Sequence, residues 1–142
     1  MATSLVPYLS FDGTCTEAMH LYAEVLGARL ETLMTYGQAP GMAEHVAEVD
    51  RGRVMHAYLV HPDFTLMAGD GTCEMPYQKV QGISLALSFD TVAEARRVFD
   101  ALGAGGQVTM PMGESFWAEA FGAVTDRYGI SWLVNGVLKP MA

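Results

Sequence analysis

The side chains of this sequence whose chemistry could reach beyond packing are four histidines, two cysteines and the glutamates around Phe116-Trp117. His56 is the strongest candidate. It stands two residues before Tyr58 in a segment that alternates as a strand does, so the two project from one face. An imidazole held there serves as hydrogen-bond donor or general base. The competing reading is a core histidine satisfied by nearby backbone. Glu114 and Glu119 flank the aromatic pair: two carboxylates held close share a proton, whereas a solvated loop keeps them apart. Cys15 opens a predicted helix, a place where a thiol pKa can fall, but no His or Arg adjoins it, so a reactive thiol is not expected. His20 reads as a helix-surface residue, His45 as part of a loop, and His61 as a solvent-exposed turn residue. No His-x-His, His-Glu-x-x-His or nucleophile-elbow motif occurs. Gly103-Ala104-Gly105-Gly106 follows a helix rather than a strand and is no nucleotide fingerprint.

Those residues must be positioned by a chain that repeats at about half its length. Thr14-x-x-Glu17 forms a capping box ahead of Ala18, Leu21, Tyr22 and Val25 at helical spacing, with Gly27 as the stop. Thr91-x-x-Glu94, Ala95, Val98, Phe99, Leu102 and Gly103 repeat the pattern. Gly-Ala at 27–28 and 103–104, Met34 and Met110, and Gly37 and Gly113 correspond at a constant shift of 76. Residues 83–89 alternate bulky and small, giving a strand with one face on helices and a small, polar second face. Residues 53–60 and 64–69 bracket the turn His61-Pro62-Asp63-Phe64 and predict a hairpin. Symmetric closure sets Val60 opposite Thr65, Tyr58 opposite Met67 and His56 opposite Gly69. Residues 129–135 form a further strand. Each half therefore runs strand, helix, three strands, and the first half carries about ten extra residues around 37–48, the expected mobile loop.

At 142 residues the chain is one domain, and 51% hydrophobic against 17% charged residues is too apolar for disorder. No run reaches the roughly 18 apolar residues of a membrane span, and the start lacks a basic and then apolar leader, so a soluble cytoplasmic protein is expected. The formal charge of −8 disfavours nucleic acid and anionic lipid as partners. Cys15 and Cys73, in no CxxC arrangement, are read as reduced thiols.

Pro7-Tyr8-Leu9-Ser10-Phe11-Asp12-Gly13, Val108-Thr109-Met110-Pro111-Met112, Phe116-Trp117, Phe121-Gly122 and the run from Thr125 to Asn135 resemble the PhnB-like branch of the vicinal oxygen chelate superfamily. That superfamily groups glyoxalases, bleomycin-resistance proteins and extradiol dioxygenases. The resemblance spans about residues 5–136. It implies an α+β fold of two βαβββ modules, about 4–75 and 80–136 within one domain, whose sheets form a cup, and it implies a homodimer. In metal-dependent relatives four positions hold a divalent ion, and they carry over to Pro7, Met67, Ser84 and Leu133. None of these is a carboxylate or imidazole, so no metal cofactor is expected. Arg often precedes the family's Phe-Gly, where this chain has Ala120.

With the cup that the resemblance implies, the alternation assigns an apolar lining of Leu9, Phe11, Met34, Met67, Met110 and Leu133. His56, Tyr58, Ser84, Ser88 and Ser131 supply sparse polar groups. Phe116 and Trp117 either close over a ligand or bury at the dimer interface. The function this implies is binding of a small, largely apolar molecule. The alternatives are a metal-dependent lyase, isomerase or dioxygenase with non-standard ligands, and an interaction module with a vestigial cup. Members are sometimes described as demethylubiquinone methyltransferases. A methyltransferase is expected to carry a Gly-rich strand-to-helix turn on a parallel sheet, and this sequence has neither.

Overall fold

The computed structural model describes residues 3–140. The chain divides between Gln78 and Lys79 into two units, and each follows the order strand, helix, three strands.

Unit 1 contains β1 (Tyr8–Phe11), α1 (Cys15–Leu26), β2 (Arg29–Thr35), β3 (Val54–His61) and β4 (Phe64–Asp70). Its sheet runs β1-β4-β3-β2, with β1 parallel to β4 and the other pairs antiparallel. Tyr58 faces Met67 and Val60 faces Thr65, as the hairpin spacing predicts; His56 and Gly69 lie just past the last paired residues, Ala57 and Ala68. α1 buries Ala18, Met19, Tyr22, Val25 and Leu26, the stripe that a 3.6-residue period lays along one face. Gly27 ends it in a left-handed conformation (φ 67°), its N–H donating to the Ala23 carbonyl.

The start of α1 departs from expectation. Thr14 makes no side-chain cap. Asp70, at the far end of β4, does that work instead: its Oδ1 accepts from the backbone N–H groups of Gly13 and Cys15, both at 3.0 Å. Its Oδ2 accepts from Val54 N at 2.9 Å. One carboxylate oxygen thus satisfies the first helix donor, Cys15 N, and the Gly13 N–H just ahead of the cap, and the parallel pairing of Phe11 with Asp70 brings it there.

Unit 2 contains β5 (Leu85–Phe89), α2 (Val92–Gly103), β6 (Gln107–Gly113), β7 (Ala118–Thr125) and β8 (Ser131–Leu138). Its sheet order, β5-β8-β7-β6, reproduces the first topology. β5 begins two residues later than its alternation suggests, and β8 both begins and ends later than 129–135. Here the capping box forms in part: Thr91 Oγ1 accepts from Glu94 N at 3.1 Å, while the Glu94 carboxylate turns to Arg97. α2 continues through Gly103, and the left-handed residue after it is Gly105, φ 75°. Ala95, Val98, Phe99 and Leu102 pack with Val124, Trp132 and Val134 as the core. Asp126 organises the β7–β8 turn, accepting from Tyr128 N, Ile130 N and the Trp132 indole.

The expected mobile insertion is folded back on itself. Between Thr35 and Val54 the chain forms two 3-10 turns, Ala43–His45 and Glu48–Asp50. It is tied by Tyr36 N to Arg53 O, Gly37 N to Arg51 O and Arg51 Nε to Ala43 O. Backbone groups that a floating loop would leave to water are paired within it. Among the described residues no helix is long and apolar enough to cross a membrane.

Candidate functional site

The burial pattern of β1 decides which side chains reach the open face of the unit 1 sheet. Leu9 and Phe11, expected on that face, are buried, and the Phe11 ring lies 6.5 Å from Tyr22 of α1. They belong to the helix side. β1 is only four residues long and carries large side chains at both parities, so pairing with β4 and the apolar underside of α1 set its register. Tyr8 and Ser10 take the open face. Tyr8, rather than Pro7, stands in line with Met67; in unit 2 Ala86, rather than Ser84, stands in line with Leu133. The Ser84 hydroxyl is hydrogen-bonded to that of Ser131 at 2.6 Å.

The open face of unit 1 carries a row of rings. His56 stacks between Tyr8, at 6.1 Å and 26°, and Tyr58, at 6.5 Å and 15°. Met34 pairs with His56, and Tyr58 with Met67, so four of the expected lining residues of this half, Met34, His56, Tyr58 and Met67, do share one surface. Beside the row lies a cavity of about 470 Å³ that neither the spacing nor the resemblance announces. Its walls are Tyr8 and Ser10 of β1, Tyr36, Met55, the end of β4 at Gly69-Asp70, and, from the strap of residues 71–78, Gly71 and Met75 to Gln78. His56 is not among them.

Tyr8 is fixed by donating its phenol hydrogen to the Met55 carbonyl at 3.0 Å. Gly69 makes that reach possible: a Cβ there would sit 2.9 Å from both the Tyr8 hydroxyl and the Met55 carbonyl oxygen. Tyr36 donates to the Asp70 carbonyl at 3.3 Å. Desolvation pushes both phenols above their ordinary pKa, helped at Tyr8 by Tyr36 and Cys15, and at Tyr36 by the charges of Asp70 and Asp50. The strap is braced by Thr72 N to Met75 O and Met75 N to Thr72 Oγ1.

A second hollow of about 280 Å³ adjoins the strap, lined by Asp12, Asp50, Arg53, Thr72, Cys73 and Tyr77 among others. Arg53 holds it together, meeting Asp12 at 3.1 Å, Asp50 at 3.6 Å and the Gly71 carbonyl at 2.8 Å.

In unit 2 the expected strand residues share one cross-strand row. Met110 of β6 and Leu133 of β8 both pair with Ala123. Phe116 and Trp117 form the β6–β7 turn; Phe116 is exposed, while Trp117 makes edge contacts with Phe116 and Phe121. The Trp117 indole donates to Asn135 Oδ1 at 3.0 Å. Glu114 does not meet Glu119: it pairs with Lys139 at 2.8 Å, which holds its carboxyl below the ordinary value. Cys15 is buried, and desolvation with the neighbouring Asp70 charge pushes its thiol up to about 12, opposite to a helix-terminal activation. His61, expected in solvent, stacks on Phe64 at 4.3 Å and accepts from Asp63 N at Nδ1. Within each unit, among the described residues, no three His, Cys, Asp or Glu side chains gather as a metal ligand set.

These features can be set beside known proteins. The chain is 36% identical over 142 residues to protein YjdN of Escherichia coli strain K12, covering 94% of this chain and 95% of that protein. Among solved structures it is similar to protein PA1353 from Pseudomonas aeruginosa, with 43% identity, TM-score 0.87, and 96% and 98% of the two chains covered. A PhnB protein from Bacillus cereus follows at 24% identity and TM-score 0.75, with 95% and 100% covered. At the level of fold alone, a glyoxylase/bleomycin resistance protein/dioxygenase domain from Frankia superposes with TM-score 0.60 at 13% identity, over 99% of each chain. The model of the family described as 3-demethylubiquinone-9 3-methyltransferase matches residues 3–135. The chain therefore belongs to that family, and its fold is the one seen in the glyoxylase/bleomycin resistance protein/dioxygenase domain.

Proposed function

We propose that this protein binds a small, largely apolar molecule on the open faces of its sheets, without a divalent metal at the superfamily positions. The observation that carries the reading is the cavity of about 470 Å³ beside the Tyr8–His56–Tyr58 row. Aromatic and thioether walls with a few fixed polar groups suit a small-molecule site. The positions aligned with the superfamily ligands, Tyr8, Met67, Ala86 and Leu133 by strand register, offer a phenol, a thioether and two alkyl groups. Neither unit's pair, the phenol and thioether of unit 1 or the two alkyl groups of unit 2, suits a hard divalent cation. Methyl transfer is disfavoured on the same kind of ground: both sheets are mixed, and neither carries a glycine-rich turn between a strand and the following helix.

A homodimer belongs to this reading. Val108 and Met110 on edge strand β6, with Phe116 and Leu138, leave exposed apolar surface that a second copy can cover. The exposed free thiol of Cys73 suits a reducing compartment such as the cytoplasm.

The test has two parts. Metal content per subunit is measured after purification without chelator, and again after incubation with Zn²⁺, Ni²⁺, Mn²⁺ and Fe²⁺ and desalting. A panel of neutral apolar fragments is then screened by ligand-observed NMR. Retention of no metal, with fragment binding weakened by Tyr8→Ala, is expected. About one metal per subunit, lost in His56→Ala, would replace this reading with a metal-dependent lyase, isomerase or dioxygenase.

A further inference from the structure

We propose that the unit 1 cavity takes an organic cation, an ammonium or quaternary ammonium group on a small apolar body; this rests on the ligand-binding reading above and names the ligand class for that site.

Hydrogen-bond polarity is the first reason. A phenol has one hydrogen to give, and both phenols near the cavity floor have spent it on backbone: Tyr8 on Met55 and Tyr36 on Asp70. What their oxygens still offer is lone pairs. At these two phenols the cavity presents acceptors, so a ligand group seated against them must donate or carry positive charge; Ser10, Tyr77 and Gln78 add hydroxyl and amide groups that can accept as well as donate.

Charge is the second. Among the described residues, no lysine or arginine lines the cavity. The guanidinium of Arg53, in the adjoining hollow, is matched by two carboxylates, Asp12 and Asp50. Asp70 adds a third carboxylate, which no Lys or Arg approaches within ion-pair distance among the described residues; its bonds go to neutral backbone N–H groups. The local balance is negative, in a chain whose formal charge is −8. Its fields already act at the site, for Asp70 and Asp50 both contribute to the raised pKa of the Tyr36 phenol.

The third reason is the wall material. Tyr8, Tyr36 and Tyr77 bring aromatic rings to one cavity, and Met55 and Met75 bring polarizable sulfur. Aromatic rings attract cations through their quadrupole, most strongly where water is excluded. A hydrocarbon would leave the acceptors unpaired and an anion would meet negative potential, whereas an alkylammonium head satisfies acceptors, rings and charge together.

The test uses the full chain and three probes of similar size and shape: choline, its neutral carbon isostere 3,3-dimethylbutan-1-ol, and the anion isethionate, each followed by NMR titration. Choline is expected to bind at least tenfold more tightly than the alcohol, with no isethionate binding over the same range. Gln78→Lys puts a cation at the exposed rim of the cavity and is expected to weaken choline at least tenfold more than it weakens the alcohol. Tyr77→Leu, with its melting temperature checked, is expected to weaken choline severalfold. Alcohol binding equal to or tighter than choline overturns the proposal, as does choline binding that Gln78→Lys does not alter. If neutral fragments bind and choline does not, this inference falls alone; if nothing binds, the ligand-binding reading falls with it.

Discussion

Asp70 Oδ1 accepts a hydrogen bond from Cys15 N at 3.0 Å across 55 residues of sequence, joining the end of β4 to the first turn of α1. The same carboxylate also holds Gly13 and Val54, so one side chain fixes the helix start, β3 and the floor of the cavity. Asp70→Asn is expected to lower stability by about 2–3 kcal/mol, because an amide NH₂ must then face one of the three backbone N–H donors, two of them in buried bonds. Urea unfolding measures this, and a loss below about 0.5 kcal/mol would remove Asp70 from that role.

Gly69 and Tyr8 form a second such pair. Gly69→Ala places a methyl 2.9 Å from the Tyr8 hydroxyl and the Met55 carbonyl, so a cost of about 1–3 kcal/mol is expected from overpacking. Tyr8→Phe removes one of the two crowded oxygens. The alanine should therefore cost less when combined with Tyr8→Phe, a non-additivity that a double-mutant cycle reads directly.

Stability should fall at both ends of the pH scale, for different groups. Asp50, held low first by the Cys73 N–H, Glu94 by Arg97 and Glu114 by Lys139 all have depressed pKa values. Their contribution is present above the ordinary carboxylate values of 3.8 and 4.5, and is lost as pH falls through and below them. The Cys15 thiol runs the other way: raised from 9.0 to about 12, it contributes below pH 9 and loses that contribution as pH climbs towards 12. Cys15→Ser should flatten only the alkaline limb of melting temperature against pH.

The two cysteines should also separate by reactivity. Cys73 is exposed and Cys15 buried, so a disulfide reagent at mildly alkaline pH should modify one thiol in the native protein and two in denaturant. The native reaction should disappear in Cys73→Ser. It should also run more slowly than with a free thiol of ordinary pKa, because the bond to Asp50 raises the pKa of Cys73.

Trp117 links the β6–β7 turn to β8 through Asn135. Trp117→Ala is expected to cost about 1–3 kcal/mol through lost ring contacts and an unpaired Asn135 oxygen, and Trp117→Phe less. Urea denaturation with near-ultraviolet circular dichroism checks both. Equal costs would mean that the ring contacts contribute nothing.

Local patterns were legible wherever one segment carries its own answer. Both helices, their apolar stripes and the β3–β4 hairpin with Tyr58 opposite Met67 can be read directly, because periodicity and turn chemistry act over a few residues. The repeat of strand, helix and three strands was legible too, and with it the family. The open face was half legible: Met34, His56, Tyr58 and Met67 share it as their alternation requires, while Leu9 and Phe11 do not. A four-residue strand with bulky groups on both sides has no periodicity to decide its facing.

By itself, then, the sequence determined the α+β class and the duplicated module. Tertiary structure alone decided which face of β1 looks outward, which residue caps α1 and where a cavity opens. Each of these depends on groups far apart in the chain: Phe11 beside Asp70, Tyr8 reaching Met55 across Gly69, Tyr36 donating to Asp70. A hydrogen bond between residues 47 or 55 positions apart leaves no local mark in the sequence, because its partners are chosen by strand pairing and helix packing rather than by their neighbours.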